Sequence, residues 1–307
     1  MSPTAVEVDI DGRRVRLSNL DKVFYPAVGF TKGQVIDYYT RVAPALLPHL
    51  HDRQLTLKRY PNGVEGPYFY EKRCPSHRPE WVQTSPVWVG RDGKRIEFCL
   101  ANDLPSLIWA ANLANLELHT SLSRADRPPR PTILAFDLDP GEGAGMRACA
   151  RVGLILRDLL AAQGLEAWPK TSGSKGLQVY VPLNTAGVTY DDTKGFSKAV
   201  AELLEREYPT LIVSRMAKSD RPGKVFIDWS QNDEAKTTAC VYSLRAKDRP
   251  TASTPVTWDE VEEASAADAV DPLSFTAEQV LERVAVHGDL FAPVLTLEQH
   301  LSVSTAR

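Results

Sequence analysis

At 307 residues, with 43% apolar and 24% charged positions, the chain has the composition of an ordinary globular protein, long enough for two domains or one large α/β domain. No apolar run reaches membrane-spanning length, and the opening Met1-Ser2-Pro3-Thr4-Ala5-Val6-Glu7 lacks a basic-then-apolar block, so neither a span nor a signal peptide is expected. The net charge of −3 hides an asymmetry: residues 251–307 hold ten acids and two bases, which leaves +5 for residues 1–250, and only that basic body suits a polyanionic partner.

Cys74, Cys99, Cys149 and Cys240 form no C-x-x-C pair, which argues against a disulfide framework or a zinc ribbon and suits a reducing cytosol. In chain order, residues 6–17 alternate around Asp11-Gly12 and predict a hairpin of 6–10 with 14–17. A polar-then-aromatic loop follows from Ser18 to Pro26. Thr31, with Gln34 three residues on, is a capping-box signal for a helix through Tyr38, Tyr39 and Val42. A helix N-terminus flanked by Lys22 and Lys32 can hold a phosphate, although two surface lysines would look the same in sequence. Residues 55–59 read as a strand ending in two bases. After Pro61-Asn62-Gly63, the run Tyr68-Phe69-Tyr70 stands beside Lys72 and Arg73, a mixture suited to base stacking and phosphate neutralisation. Strand alternation should send one or two of those aromatics into the core.

Residues 86–100 predict a hairpin around Arg91-Asp92-Gly93-Lys94, and 104–114 a helix leading into Leu116-Glu117-Leu118-His119. A lone histidine ending a strand is more often structural than catalytic. Arg124 to Arg130 is a basic, proline-stiffened connector into the central stretch, Ile133-Leu134-Ala135-Phe136-Asp137-Leu138-Asp139-Pro140. There an apolar strand carries two acids at i and i+2, on one face. Two such carboxylates repel unless a cation sits between them, and oxygen-rich sites suit Mg²⁺ or Mn²⁺; the competing reading is a solvated turn or a helix cap.

An amphipathic helix is expected over 146–162, stopped by Gly164. Thr171-Ser172-Gly173-Ser174-Lys175-Gly176 then precedes a buried strand at 177–183. Such a loop can wrap phosphate oxygens or be a plain turn, and it lacks the Walker spacing. A helix at 190–207 leads to the base-rich Ser214–Lys224 block and to Val225-Phe226-Ile227-Asp228, a third apolar strand bearing an acid. An aspartate there is costly unless paired or bound to metal, so Asp228 is the natural third member of a carboxylate cluster. Tyr242-Ser243-Leu244-Arg245-Ala246-Lys247 adds positive charge, and the acidic tail predicts two short helices near 258–264 and 276–286.

The order Phe-Asp-Leu-Asp-Pro, Ser-Gly-Ser-Lys-Gly-Leu-x-Val-Tyr, Phe-Ile-Asp-Trp-Ser-Gln-Asn resembles the three motifs of the archaeo-eukaryotic primase superfamily. More closely, with Asp21–Pro26, Lys58–Gly63 and Tyr242–Arg245, it resembles the polymerase domain of bacterial ligase D of non-homologous end joining. The resemblance implies an α/β (α+β) primase-like core with a central mixed β-sheet flanked by helices. It implies a template-dependent polymerase that extends 3′ ends with NTPs or dNTPs. Asp137, Asp139 and Asp228 would hold two divalent ions, Mn²⁺ or Mg²⁺. Lys58, His119, Ser172, Lys175, Gln178, Arg221 and Arg245 would contact the nucleotide, with Gln231 near its sugar. Asn19, Lys22 and Lys32 would grip the 5′-phosphate of a recessed or gapped DNA end, and Phe69 and Tyr70 would pack against the template base. A Ku-like end-binding protein and a DNA ligase are the implied partners, in a cytoplasmic, nucleoid-associated setting with no membrane. One departure stands out: the superfamily's second motif usually ends in His, and Gln178 occupies that position, able to donate a hydrogen bond but not to carry charge.

The expected organisation is an N-terminal part at 1–120 with the DNA contacts, a catalytic core at 121–250 and acidic packing helices at 251–307, all parts of one compact unit. No ligase or phosphoesterase motif is visible. Two other readings compete: a metal-dependent glycosyltransferase using Asp-x-Asp, which leaves Asp228 and the lysines unexplained, and a DNA-end-binding or bridging module with weak catalysis.

Overall fold

The computed structural model describes residues 5–89, 94–267 and 273–301. Its first elements are β1 (Ala5–Ile10), β2 (Arg13–Ser18), β3 (Val23–Tyr25), β4 (Phe30–Thr31), α1 (Lys32–Leu50), β5 (Leu55–Arg59), β6 (Phe69–Glu71), β7 (Thr84–Val89), β8 (Lys94–Cys99), α2 (Leu104–Asn112) and β9 (Asn115–Thr120). Next come β10 (Ile133–Pro140), α3 (Met146–Ala162), β11 (Trp168–Thr171), β12 (Leu177–Pro182), α4 (Tyr190–Glu207), β13 (Ile212–Val213) and β14 (Val225–Asp228). The chain closes with β15 (Thr238–Ala239), α5 (Trp258–Ala266), α6 (Ala277–His287) and α7 (Pro293–Thr296). Two compact units result, each assembled from separated stretches: Met1–Ser121 with Thr237–Ser253 and Phe275–Gly288, and Leu122–Lys236 with Thr254–Ser274 and Asp289–Arg307. The acidic tail is thus shared out between them.

The first unit is built on an antiparallel sheet in the order β15-β9-β5-β8-β7, with β6 paired to β5. The β1–β2 hairpin turns at Asp11 and Gly12, both with positive φ, the backbone that this dipeptide favours in a two-residue turn. Thr31 and Gln34 form the capping box that opens α1. Buried tyrosines find acceptors: Tyr38 donates to the Tyr242 carbonyl at 2.8 Å and Tyr25 to the Arg245 carbonyl at 3.0 Å. The turn expected at Arg91–Gly93 lies outside the described residues, but its two strands, β7 and β8, pair in register.

Cys74 and Cys99 form a disulfide, Cα atoms 4.9 Å apart, which corrects the reading of four unpaired thiols and removes the cysteine argument for a reducing compartment. A separation of 25 residues carries no motif; the pairing follows from Cys74 N bonding the Glu97 carbonyl, which lays that loop beside β8. Cys149 and Cys240 are free and buried.

The second unit is built on a mixed sheet, ordered β11-β12-β10-β14-β13, antiparallel except for the parallel β13–β14 pair. The helix expected at 146–162 is α3, stopped at Gly164 with φ 74°. It packs on the face of Leu138 and Leu177, approaching through Gly153, where a Cβ would stand 2.8 Å from the Leu177 side chain. Because strand side chains alternate, Asp137 and Asp139 lie on the other face. Strand β11 has no counterpart in the sequence reading: Pro169 and Lys170 break its apolar pattern, and pairing with β12 overrides it. Among the described residues, no helix is long and apolar enough to cross a membrane.

Candidate active site

The second unit carries one polar row across four strands. Lys170 on β11 opposes Gln178 on β12, Gln178 opposes Asp137 on β10, and Asp137 opposes Asp228 on β14. Directly opposed residues of antiparallel strands share a face, and Asp139 joins it two residues along. Burial, then Asp139 and Asp228, push the Asp137 carboxyl up to about 7, against the opposing pull of the Gln178 hydrogen bond and of Lys170. Its Oδ1 is buried with no hydrogen-bond partner among the described residues.

Asp228 faces its own turn: Oδ1 accepts from Ser230 N at 3.0 Å and Ser230 Oγ at 2.5 Å, and Oδ2 accepts from Gln231 Nε2 at 2.9 Å. Gln231, expected near a sugar, therefore holds the third carboxylate. As these side chains stand, no group of three or more His, Cys, Asp or Glu among the described residues is arranged to hold an ion. The donor set is nonetheless that of a hard divalent cation, with three carboxylates on neighbouring strands and one buried oxygen left without a donor.

Three loops gather at the end of β10. Gly176, in the Ser172–Gly176 loop, comes so near the Leu138 carbonyl oxygen that a Cβ would stand 2.3 Å from it. Gly141 lies as close to the Arg221 carbonyl, and Gly141 N donates to Lys224 O at 2.8 Å. Ser172 Oγ accepts from the amides of Ser174 and Gly176 at 3.2 and 3.1 Å, which shapes the loop, while Lys175 is exposed beside it. Arg221 stacks its guanidinium 3.8 Å from the Phe226 ring centroid and donates to the Met216 carbonyl at 2.8 Å.

Sequence reasoning missed Lys170. Wholly buried, its ammonium donates to Gln178 Oε1 and lies 5.0 Å from the Tyr180 ring centroid. With its oxygen held by Lys170, the Gln178 amide presents its NH₂ end to Asp137. The neutral residue at this position is thus backed by a cation one strand away.

The first unit holds three further groups. Asn19, at φ 55°, Lys22 and Lys32 converge around the start of α1: Lys22 N donates to Asn19 O at 3.1 Å and Lys32 N to Lys22 O at 2.8 Å. Lys32 is 4% exposed and donates to Ser18 O at 2.6 Å and Asn112 Oδ1 at 2.8 Å, so it is not the surface lysine that its sequence setting allowed. Burial, then the nearby charges of Lys22 and Arg59, lower its ammonium to about 8. Such crowding of cations at a helix N-terminus suits a phosphate.

Tyr68, Phe69 and Tyr70 are all exposed, by 53%, 44% and 56%, against the expectation that one or two are core. Strand β6 spans only Phe69–Glu71 and lies on β5 off the main path of the sheet, which leaves these aromatics open to solvent. Finally, Lys58, His119 and Arg245 all meet the buried carboxylate of Glu117, which sequence reading passed over. The signal was present: an acid flanked by Leu116 and Leu118 in an apolar strand, as at Asp228.

Comparison with known proteins extends this geometry. The family model "LigD, primase-polymerase domain" matches residues 31–291. The multifunctional non-homologous end joining protein LigD of Mycolicibacterium smegmatis is 42% identical over 284 residues, 92% of this chain and 36% of that protein. The bifunctional LigD of Bacillus subtilis is 30% identical over 275 residues, 90% of this chain and 43% of that protein. The chain therefore spans less than half the length of these curated relatives. The solved polymerase domain from Mycobacterium tuberculosis ligase D in complex with DNA superposes with a TM-score of 0.84 at 40% identity, covering 92% of this chain and 98% of that one.

Proposed function

Since the chain belongs to the LigD primase-polymerase domain family, we propose that it is a template-dependent nucleotidyltransferase that extends 3′ ends at DNA breaks or gaps with NTPs or dNTPs. The observation that carries the reading is the register that sets Asp137 against Asp228 with Asp139 on the same face. Asp137, Asp139 and Asp228 would hold two Mn²⁺ or Mg²⁺ ions. When bound, such ions supply Lewis-acid stabilisation of an attacking hydroxyl and a leaving pyrophosphate. The raised Asp137 carboxyl and its undonated Oδ1 support the assignment, because both are costly states that a cation relieves.

The protein's own groups bind and orient. Ser172 and the Lys175 ammonium receive phosphate oxygens, with Arg221 held ready by the Phe226 ring. Gln178, its amide fixed by Lys170, donates to an acid or a phosphate oxygen but cannot withdraw a proton. Lys58, His119 and Arg245 receive further anionic charge of the nucleotide. The α1 N-terminus with Asn19, Lys22 and Lys32 takes the 5′-phosphate of a recessed or gapped end, and Phe69 and Tyr70 stack on the template base. A Ku-like end-binding protein and a ligase are the proposed partners in repair.

The test is extension of a 5′-phosphorylated gapped duplex with Mn²⁺ and each nucleotide in turn. Addition of the templated nucleotide alone is expected. Transfer from a nucleotide sugar, or DNA binding indifferent to nucleotide and metal, would replace the reading with a glycosyltransferase or an end-bridging module.

A further inference from the structure

Glu117 is a carboxylate that the proposed chemistry does not use, 2% exposed on β9, yet both of its oxygens are engaged by several donors. Its Oε1 accepts from Lys58 Nζ at 3.0 Å, Tyr60 OH at 3.0 Å and Ala246 N at 3.2 Å. Its Oε2 accepts from His119 Nε2 at 3.0 Å and Arg245 Nε at 3.2 Å. Five donors on one buried carboxylate fill its lone pairs. Three of those donors belong to the residues read as nucleotide contacts, which come from β5, β9 and the segment after β15.

The charges show why an acid is needed there. Lys58 and Arg245 side chains are only 12% and 16% exposed, so two permanent cations would otherwise repel each other away from water. Burial pushes the Glu117 carboxyl up, but the His119 hydrogen bond, Arg245 and Lys58 outweigh it and hold it well below the usual carboxylate range. Burial lowers His119, against the pull of Glu117, so the imidazole is neutral near pH 7 and carries its hydrogen on Nε2. The cluster then keeps one net positive charge. Lys58 is further fixed by rings, with its Nζ 4.6 Å from the Tyr68 centroid and 5.6 Å from that of Tyr70.

We propose that Glu117 is a positioning residue: its carboxylate holds Lys58, His119 and Arg245 in the arrangement that receives the phosphates of the incoming nucleoside triphosphate. The proposal rests on the reading of those three side chains as nucleotide contacts. A glutamine at 117 must turn an NH₂ toward one set of donors. Neutral His119 accommodates it by switching tautomer, whereas Arg245 Nε has no acceptor form and is released.

The experiment uses the whole chain with Glu117→Gln and Glu117→Asp, single-nucleotide extension at saturating DNA, and the templated triphosphate as the varied substrate. Glu117→Gln should raise KM for the triphosphate by about tenfold or more, the equivalent of one lost charge-assisted hydrogen bond, with a smaller change in kcat. Glu117→Asp, which keeps the charge on a shorter arm, should fall between. Affinity for 5′-phosphorylated DNA should not change. In an Arg245→Ala background the Glu117→Gln effect on KM should shrink, because its target is gone; an undiminished factor there marks a merely structural role and overturns the proposal. Where Glu117→Gln does not fold, Glu117→Asp decides: an unchanged KM in that folded variant also overturns it. If Lys58→Ala and Arg245→Ala themselves leave the triphosphate KM unchanged, the underlying nucleotide reading fails. If those two raise it and both Glu117 variants do not, only the positioning role fails.

Discussion

Replacing Asp137 with Asn should make the metal-free protein more stable at alkaline pH while abolishing nucleotide addition. The carboxyl sits beside Asp139 and opposite Asp228, raised from 3.8 to about 7 chiefly by burial and next by Asp139. A folded-state value above the unfolded one means that the folded chain holds the proton more tightly. Stability is therefore full below about pH 4 and declines as pH rises through about 7. A rise of roughly three units is worth at most about 4 kcal/mol, and sharing of charge among three acids brings the expected gain nearer to about 1–2 kcal/mol. Thermal melts in chelator should show Asp137→Asn above the unsubstituted protein by about 2–5 °C near pH 8.5, with a smaller difference near pH 5.5 and none below about pH 4. Mn²⁺ should raise the melting temperature of the unsubstituted protein and have less effect on the variant. A variant that melts lower by the same amount at both pH values would refute the claim that Asp137 is a carboxylate strained by its neighbours.

Other outcomes follow from named contacts. Lys170→Met, which removes the ammonium behind Gln178, should slow extension by about tenfold or more while leaving 5′-phosphate DNA binding intact, as binding and single-turnover assays on one substrate will show. The preference for 5′-phosphorylated over 5′-hydroxyl ends should weaken as pH rises through about 8, where Lys32 loses its charge, and Lys32→Met should show little preference at any pH. Gly176→Ala drives a Cβ to 2.3 Å from the Leu138 carbonyl oxygen; a displaced phosphate loop and a loss of about 1–3 kcal/mol in a denaturant melt are expected.

What sequence reading recovered and what it missed divide along physical lines. The Asp11-Gly12 turn, the Thr31–Gln34 capping box and the stripe of α3 are local signals, set by backbone preference and side-chain period, and each stands within a residue or two of expectation. The convergence of Asp137 with Asp228, 91 positions apart, is legible only through cost, since apolar strands do not carry acids idly. The same reasoning applied to Leu116-Glu117-Leu118 and to Lys170 would have exposed both buried ions. In sequence, however, Glu117 stands beside the more conspicuous His119, and Pro169 gives β11 the look of a loop. The Cys74–Cys99 pairing and the exposure of Tyr68, Phe69 and Tyr70 depend on which segments lie beside or off a sheet, a long-range property with no local trace.

The central claim is that three acids on two neighbouring strands form one catalytic centre for templated nucleotide transfer. Incorporation of a single templated nucleotide into a 5′-phosphorylated gapped duplex in Mn²⁺, measured for the unsubstituted chain, Asp139→Ala and Asp228→Ala on DNA that all three bind, addresses it directly. Both variants should bind the duplex yet add no nucleotide. Templated addition by either one at a rate near that of the unsubstituted chain would contradict the account.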